Sequence, residues 1–210
     1  MPELERLMTD TLGLNVSRET LDRLRTHLEL LRKWNPKINL VSPSTLAIGA
    51  VRHIADSAQL MNCITGGESS WLDFGSGGGF PGLVCAILAQ ELAPDLRFTL
   101  VESDKRKSAF LLNTSRAIDL KVTILAKRIE DVPPQNADII SARAVANLAK
   151  LLEYAKPHLS DVGKCIFPKG ERFEDELRDA RKQWNFKLSQ KPSITDDNAA
   201  ILVLGDIARV

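Results

Sequence analysis

The chain has 210 residues, 44% of them hydrophobic and 26% charged, with a formal net charge of +1. Length and composition fit one globular domain with an extension, and the near-zero charge means a nucleic-acid partner must meet a local basic patch. No stretch approaches a transmembrane helix, and the N-terminus (Glu3, Glu5, Arg6, Asp10) lacks the apolar core of a signal peptide. Cys63, Cys85 and Cys165 are far apart and show neither metal spacing nor pairing logic. The expected setting is therefore a reducing cytoplasm, without membrane or metal.

Residues 1–66 read as a helical N-terminal cap. Ser17 is a plausible N-cap, and Leu21, Leu24, Leu28 and Leu31 form the apolar row of one amphipathic helix, with Leu30 and Trp34 beside it. Pro36 is expected to stop that helix near Trp34. Pro43-Ser44 restarts a helical segment, and Val51, Ile54, Ala55 and Ala58 carry the next apolar stripe. Gly66-Gly67 marks a boundary.

From 67 to 210 the pattern alternates. Strands are expected at 70–74, 97–102, 121–125, 137–142, 163–168, 184–191 and 199–205, and helices at 81–91, 104–118, 145–157 and 171–183. Strand–helix alternation implies an α/β fold with a mostly parallel sheet covered on both faces. The last two strands are separated only by a turn around Thr195-Asp196-Asp197-Asn198, so they should form an antiparallel hairpin at or beside the sheet edge. Such an ending suits a methyltransferase better than a dinucleotide domain, whose sixth strand is parallel.

The first of these strands runs from Trp71 to Phe74 into Gly75-Ser76-Gly77-Gly78-Gly79-Phe80-Pro81-Gly82. Glycine lets backbone turn sharply and approach a ligand, and the helix behind aims its N–H groups at the loop. Glu102 follows about twenty residues later, at the end of the next strand, where an acid reaches a nucleotide ribose. Two registers share the loop. Gly77, Gly79 and Gly82 satisfy the dinucleotide fingerprint, which points to a nicotinamide-dependent oxidoreductase. Asp73-Phe74-Gly75-Ser76-Gly77 reads as an acid-x-G-x-G loop around the amino-acid end of S-adenosylmethionine. The second is favoured because the strand ends at Phe74 and because proline suits only a first helical turn.

Several separated motifs resemble the RsmG (GidB) family of ribosomal RNA guanine-N7 methyltransferases. They are Trp34-Asn35 with Asn39-Leu40-Val41-Ser42, Val51-Arg52-His53-Ile54-Ala55-Asp56-Ser57, the run Asp73 to Gly82, Ser141-Ala142-Arg143-Ala144, and Pro168-Lys169-Gly170. The resemblance runs in order from about residue 20 to the C-terminus. It implies a Rossmann-like class I methyltransferase sheet with a helical cap, S-adenosylmethionine as donor, and a guanine of 16S (small-subunit) ribosomal RNA near the decoding site as acceptor. Gly78 stands where the family often carries proline or alanine.

The resemblance also implies roles. Asp73, Gly75, Gly77 and Phe80 belong to the cofactor loop; Glu102 accepts from the ribose; Ile129 flanks the adenine, with Glu130 beside it. Without the family, Glu130 reads equally well as an acid complementing a helix dipole. Arg143, at the carboxyl edge of the fourth strand, is a site residue for cofactor, guanine or phosphate. His53 and Asp56, three apart on one helical face, mark an active-site face, with His53 and Arg143 as the candidate catalytic residues. Lys37, Arg52 and Lys169 are the preferred RNA contacts; Arg23 and Arg25 read as a solvated face. Guanine N7 carries a lone pair, so alignment matters more than a general base. A monomeric enzyme is expected; the rival readings are a nicotinamide-dependent oxidoreductase and a non-catalytic nucleotide- or RNA-binding regulator.

Overall fold

The computed structural model describes residues 2–42 and 52–210. Pro43, Ser44 and Val51 lie outside the described residues. A short helix α1 (Pro2–Arg6) and a π turn (Leu7–Thr11) lead to α2 (Arg18–Ile38). Ser17 caps α2 by accepting from the Thr20 amide at 3.2 Å, and Leu21, Leu24, Leu28 and Leu31 are buried. The helix runs straight through Pro36, against the sequence expectation. Proline removes one N–H, but its partner carbonyl belongs to exposed Arg32, where water is available. The helix ends instead at Asn39, in the left-handed region at φ 49° with its amide on the Asn35 carbonyl.

Residues 52–58 form α3, continued by a 3₁₀ turn (Gln59–Cys63). Then come β1 (Ser70–Phe74), α4 (Gly82–Leu92), β2 (Arg97–Val101), α5 (Lys105–Ala117), β3 (Thr123–Leu125), β4 (Ala137–Ala142), α6 (Leu148–Ala155), β5 (Leu159–Lys169), α7 (Phe173–Ala180), β6 (Trp184–Pro192) and β7 (Ala200–Arg209). One seven-stranded sheet has the order β3-β2-β1-β4-β5-β7-β6. The first five strands pair in parallel, and β7 is antiparallel to both β5 and β6.

Alternation along the strands divides the core. Trp71, Phe98, Leu100, Ile139, Ile166 and Ile201 face the leucines of α2, the apolar face of α3, and α4 and α5. Leu72, Phe74, Ile140, Phe167 and Leu202 face α6 and α7. The cap thus shares a continuous core with one sheet face.

Register fixes the site. Phe74 pairs with Val101 on one side and with Ala142 on the other. Gly75, Glu102 and Arg143 therefore follow three neighbouring strand ends at one edge, the carboxyl edge where open α/β sheets bind ligands. Among the described residues no helix is long and apolar enough to cross a membrane, and no group of three His, Cys, Asp or Glu side chains could hold a metal ion.

Candidate functional site

The glycine loop is held open by the strands beneath it. Gly75, Gly77 and Gly79 have φ of 62°, 49° and 91°, values that favour glycine. A Cβ on Gly75 would lie 2.5 Å from Val145 Cγ2, whereas one on Gly77 would meet only the Gly75 carbonyl, at 3.6 Å, and Glu102 Oε2, at 4.0 Å. The Gly77 amide donates to Glu102 Oε2 at 2.9 Å, and Glu102 Oε1 accepts from the Asp104 amide at 2.8 Å. Glu102 thus braces the loop while lining the cavity in front of it.

Asp73 does not line that cavity, which differs from its expected place in the cofactor loop. It is fully buried below the loop, accepting from Ser141 Oγ at 2.6 Å and from the Gly82 amide at 3.2 Å. Ser141 in turn accepts from Trp71 Nε1 at 2.7 Å. Burial pushes the Asp73 carboxyl up to about 6, against hydrogen bonds that pull it down. Gly82 belongs to this packing, since a Cβ there would lie 2.5 Å from Asp73 Oδ2.

A cavity of about 470 Å³ is lined by Leu40, Val41, Ser42, His53, Gly75–Gly78, Phe80, Glu102, Lys107, Arg143 and Ala144. Its lip is folded by Asn35, whose Oδ1 accepts from the Val41 amide at 2.8 Å. Gly75 also lines a second space of about 180 Å³, with Ile129, Glu130, Val145 and Tyr154. Tyr154 donates to Glu130 at 3.0 Å. These two spaces meet at Gly75 and extend from Phe80 to the 3₁₀ turn Ile129–Asp131.

Arg143 lines the first cavity and also a third, of about 170 Å³, with Arg52, Asp56, Gln59, Pro168–Gly170, Ser193, Thr195 and Asp196. Its Nη1 lies 3.1 Å from His53 Nδ1 and 3.7 Å from Asp56 Oδ2, and its guanidinium stands 5.0 Å from the centre of the Phe80 ring. Arginine can only donate, so His53 Nδ1 accepts and its proton sits on Nε2. Burial, reinforced by the Arg143 charge, pulls His53 down to about 4 and keeps it neutral. His53 Nε2 is buried without a partner among the described residues. Burial also lowers Arg143, with Asp56 and Asp73 opposing. Asp56 accepts a hydrogen bond from Thr195, in the β6–β7 connection.

The expected RNA contacts separate. Lys169 is almost enclosed (9% exposed), with Nζ 2.7 Å from Glu176 and 3.0 Å from the Ala146 carbonyl. Glu176 also takes the Leu148 amide at 2.7 Å, so Lys169 bolts β5 to the start of α6. Arg52 pairs with Asp196 at 3.0 Å across the third cavity. Lys37 is exposed on α2. Arg23 and Arg25 pair with Glu19 and Asp22 along their own helix. Sequence reasoning placed Ser141 in a motif and Thr195-Asp196 in a turn without their partners, and it missed Tyr154, because Asp73, Asp56, Arg52 and Glu130 are distant in the chain; it also missed Lys107 on the cavity wall. A larger cavity, about 750 Å³, lies elsewhere, among Gln90, Arg97, Arg116 and Lys121. It touches none of the loop residues.

Comparison with known proteins gives the family and the fold. The model of the family GidB, rRNA small subunit methyltransferase G, matches residues 20–200. The ribosomal RNA small subunit methyltransferase G of Cereibacter sphaeroides is 50% identical over 198 residues, covering 94% of this chain and 95% of that protein. Its counterpart in Paramagnetospirillum magneticum is 47% identical, covering 98% and 96%. Among solved structures, an O-methyltransferase from Bacillus cereus in complex with SAH superposes with a TM-score of 0.59 at 15% identity, covering 97% of each chain. A SAM-dependent methyltransferase from Aquifex aeolicus gives 0.57 at 14%, covering 85% of this chain and 97% of that one. The fold is thus that of the Rossmann-like methyltransferases, and the chain belongs to the GidB family, rRNA small subunit methyltransferase G.

Proposed function

We propose that this chain transfers a methyl group from S-adenosylmethionine to N7 of a guanine in 16S ribosomal RNA, near the decoding site. The observation that carries the reading is Arg143, which forms the wall shared by the loop cavity and the third cavity. A donor on one side and a base on the other meet at that side chain.

The donor side fits the ligand. Gly75 and Gly77 leave room for the methionine end, Glu102 presents carboxylate oxygens to ribose hydroxyls, and Ile129 flanks the adenine in the adjoining space. S-adenosylmethionine, when bound, supplies an electrophilic methyl on a sulfonium. The chain's task is alignment, which can supply roughly 7–11 kcal/mol of barrier lowering in well-oriented cases. The methylated guanine gains positive charge. Neutral His53 adds no further cation beside it, and the Asp56 carboxylate offsets that of Arg143. Phe80, packed against both His53 and Arg143, holds the pair in place.

The reading supposes a monomer in the cytoplasm; three buried free cysteines suit that compartment. The test is transfer of labelled methyl from S-adenosylmethionine to naked 16S RNA and to small subunits, with the modified base mapped by mass. The expected product is one 7-methylguanine. A thermal shift with NAD and none with S-adenosylhomocysteine would overturn the donor assignment.

A further inference from the structure

His27 stands in the apolar face of α2, beside Leu24, Leu28 and Leu31, and none of it reaches solvent. Its Nε2 lies 2.7 Å from the Gly78 carbonyl oxygen. Its ring packs against Phe80, at 5.0 Å between centroids, and Phe110, at 6.2 Å. A Cβ on Gly79 would come within 3.0 Å of Nε2. Its Nδ1 is buried with no partner among the described residues. Burial pulls His27 down to about 4, so the ring is neutral and carries one N–H. With a carbonyl facing Nε2, that hydrogen sits on Nε2 and leaves Nδ1 a bare acceptor.

Leucine or methionine would fill such a site without an orphaned acceptor. What histidine adds is a donor for one peptide plane of the glycine loop. The Gly78 carbonyl and the Gly79 amide share that plane, and the Gly79 amide donates to the Ser76 carbonyl at 2.6 Å. The plane joins Gly78 to left-handed Gly79, where no Cβ limits rotation; the Ser76 bond holds its amide end from within the loop, and His27 holds its carbonyl end from the cap. Glu102 fixes the Gly77 amide from β2 and Asp73 fixes the Gly82 amide from β1. Between them the loop crosses under the cap, and there His27 adds a hold from outside the loop to the Ser76 bond within it.

We propose that His27 is a positioning residue for the donor site: from the cap it fixes the Gly78 peptide so that the Gly77–Gly78 wall keeps the shape that receives S-adenosylmethionine. This rests on the donor cavity assigned above. It makes the cap part of the binding machinery rather than a cover alone.

The test uses the full chain with His27→Gln, which keeps a donor at similar reach, and His27→Met, of similar length without one. Calorimetry with S-adenosylhomocysteine should show about tenfold weaker binding for His27→Met and near-wild-type binding for His27→Gln. In methyl transfer the loss should fall on KM for S-adenosylmethionine, with kcat within about twofold. Equal affinity in both variants, or equal loss in both, overturns the proposal, because packing alone would then explain the site. Glu102→Gln serves as control: if it leaves S-adenosylhomocysteine binding intact, the cavity assignment fails, whereas weakening there with no effect of His27→Met sinks only the positioning role. Should the variants not fold, long-range ¹⁵N NMR of the wild-type ring decides, since an Nδ1–H tautomer excludes the bond and an Nε2–H tautomer perturbed by S-adenosylhomocysteine supports it.

Discussion

The two cavities we assign to donor and acceptor at this edge are built differently. Beneath the donor cavity, backbone amides are pinned by buried carboxylates: Gly77 by Glu102 and Gly82 by Asp73. Around the third cavity, side chains from distant segments hold one another: Arg143 with Asp56, Asp56 with Thr195, Arg52 with Asp196. The first design is rigid because peptide geometry leaves few alternatives. The second can exchange partners, because each ion pair can give way to a ligand of the same charge. That difference suits a constant small-molecule donor facing a large acceptor that must be admitted and released.

Breaking the donor side should cost the most. Gly75→Val places a branched side chain at φ 62° with its Cβ 2.5 Å from Val145. S-adenosylhomocysteine binding should weaken on the order of a hundredfold or more, while the circular dichroism of the sheet persists. Binding of wild-type strength would show that the loop does not frame the donor. Next comes the junction of the two sides. Arg143→Ala should lower kcat about a hundredfold and change S-adenosylhomocysteine affinity only a few-fold, because the guanidinium sets alignment between the cavities. Transfer at the wild-type rate would remove Arg143 from the reacting edge.

The same contrast explains what the sequence made legible. Glycines at 75, 77 and 79 and an acid about twenty residues later form a local signature, so the residues lining the loop cavity could be located from spacing. The strand ends at Phe74 and Ala142 and the β6–β7 hairpin followed from alternation and turn residues in the same way. The end of α2 did not, because Pro36 signals a stop but its lost bond falls on a solvated face. Nor did the partners of Lys169 and Arg52: Glu176 is seven residues away on another element, and Asp196 lies 144 positions from Arg52. His27 had a faint signal, a polar residue on the same helical face as Leu24 and Leu31. Nothing local says whether such a histidine is packed, paired or ligating.

The reassignment of Lys169 gives a test by stability. Lys169→Ala strands the Glu176 carboxylate, which is 29% exposed, between β5 and α6. After discounting for that exposure the cost should be about 2 kcal/mol, lowering Tm by about 4–8 °C. The salt dependence of RNA binding should not move. A flattened salt slope with an unchanged Tm would restore Lys169 to the RNA surface.

Acidification probes the buried groups with a definite sign. His27 and His53 are both pulled from 6.5 to about 4, so the unfolded chain takes up protons there first and stability falls as pH falls through that window. Asp73, raised from 3.8 to about 6, acts oppositely, since the folded state binds its proton first. His158, also lowered by burial, adds to the histidine side, so three histidines against one carboxylate leave a net loss of stability from pH 6.5 toward 4.5, measurable by urea melts. His27→Gln should flatten that limb by about one proton.

The smallest effect belongs to Lys37. It is exposed near the end of α2, just before the Leu40–Ser42 lip of the donor cavity, and no carboxylate pairs with it among the described residues. Of the expected phosphate contacts it is the one with no ion pair among the described residues, since Lys169 holds Glu176 and Arg52 holds Asp196. A lone surface lysine acts through counterion release rather than geometry. Lys37→Ala should therefore weaken RNA binding a few-fold, reduce the slope of log affinity against log salt by about one, and leave Tm and S-adenosylhomocysteine affinity unchanged. Arg52→Ala should give a smaller slope change, because that charge must first leave Asp196. If Arg52→Ala lowers the slope and Lys37→Ala does not, the RNA strand runs over the third cavity and the β6–β7 connection rather than over the cap.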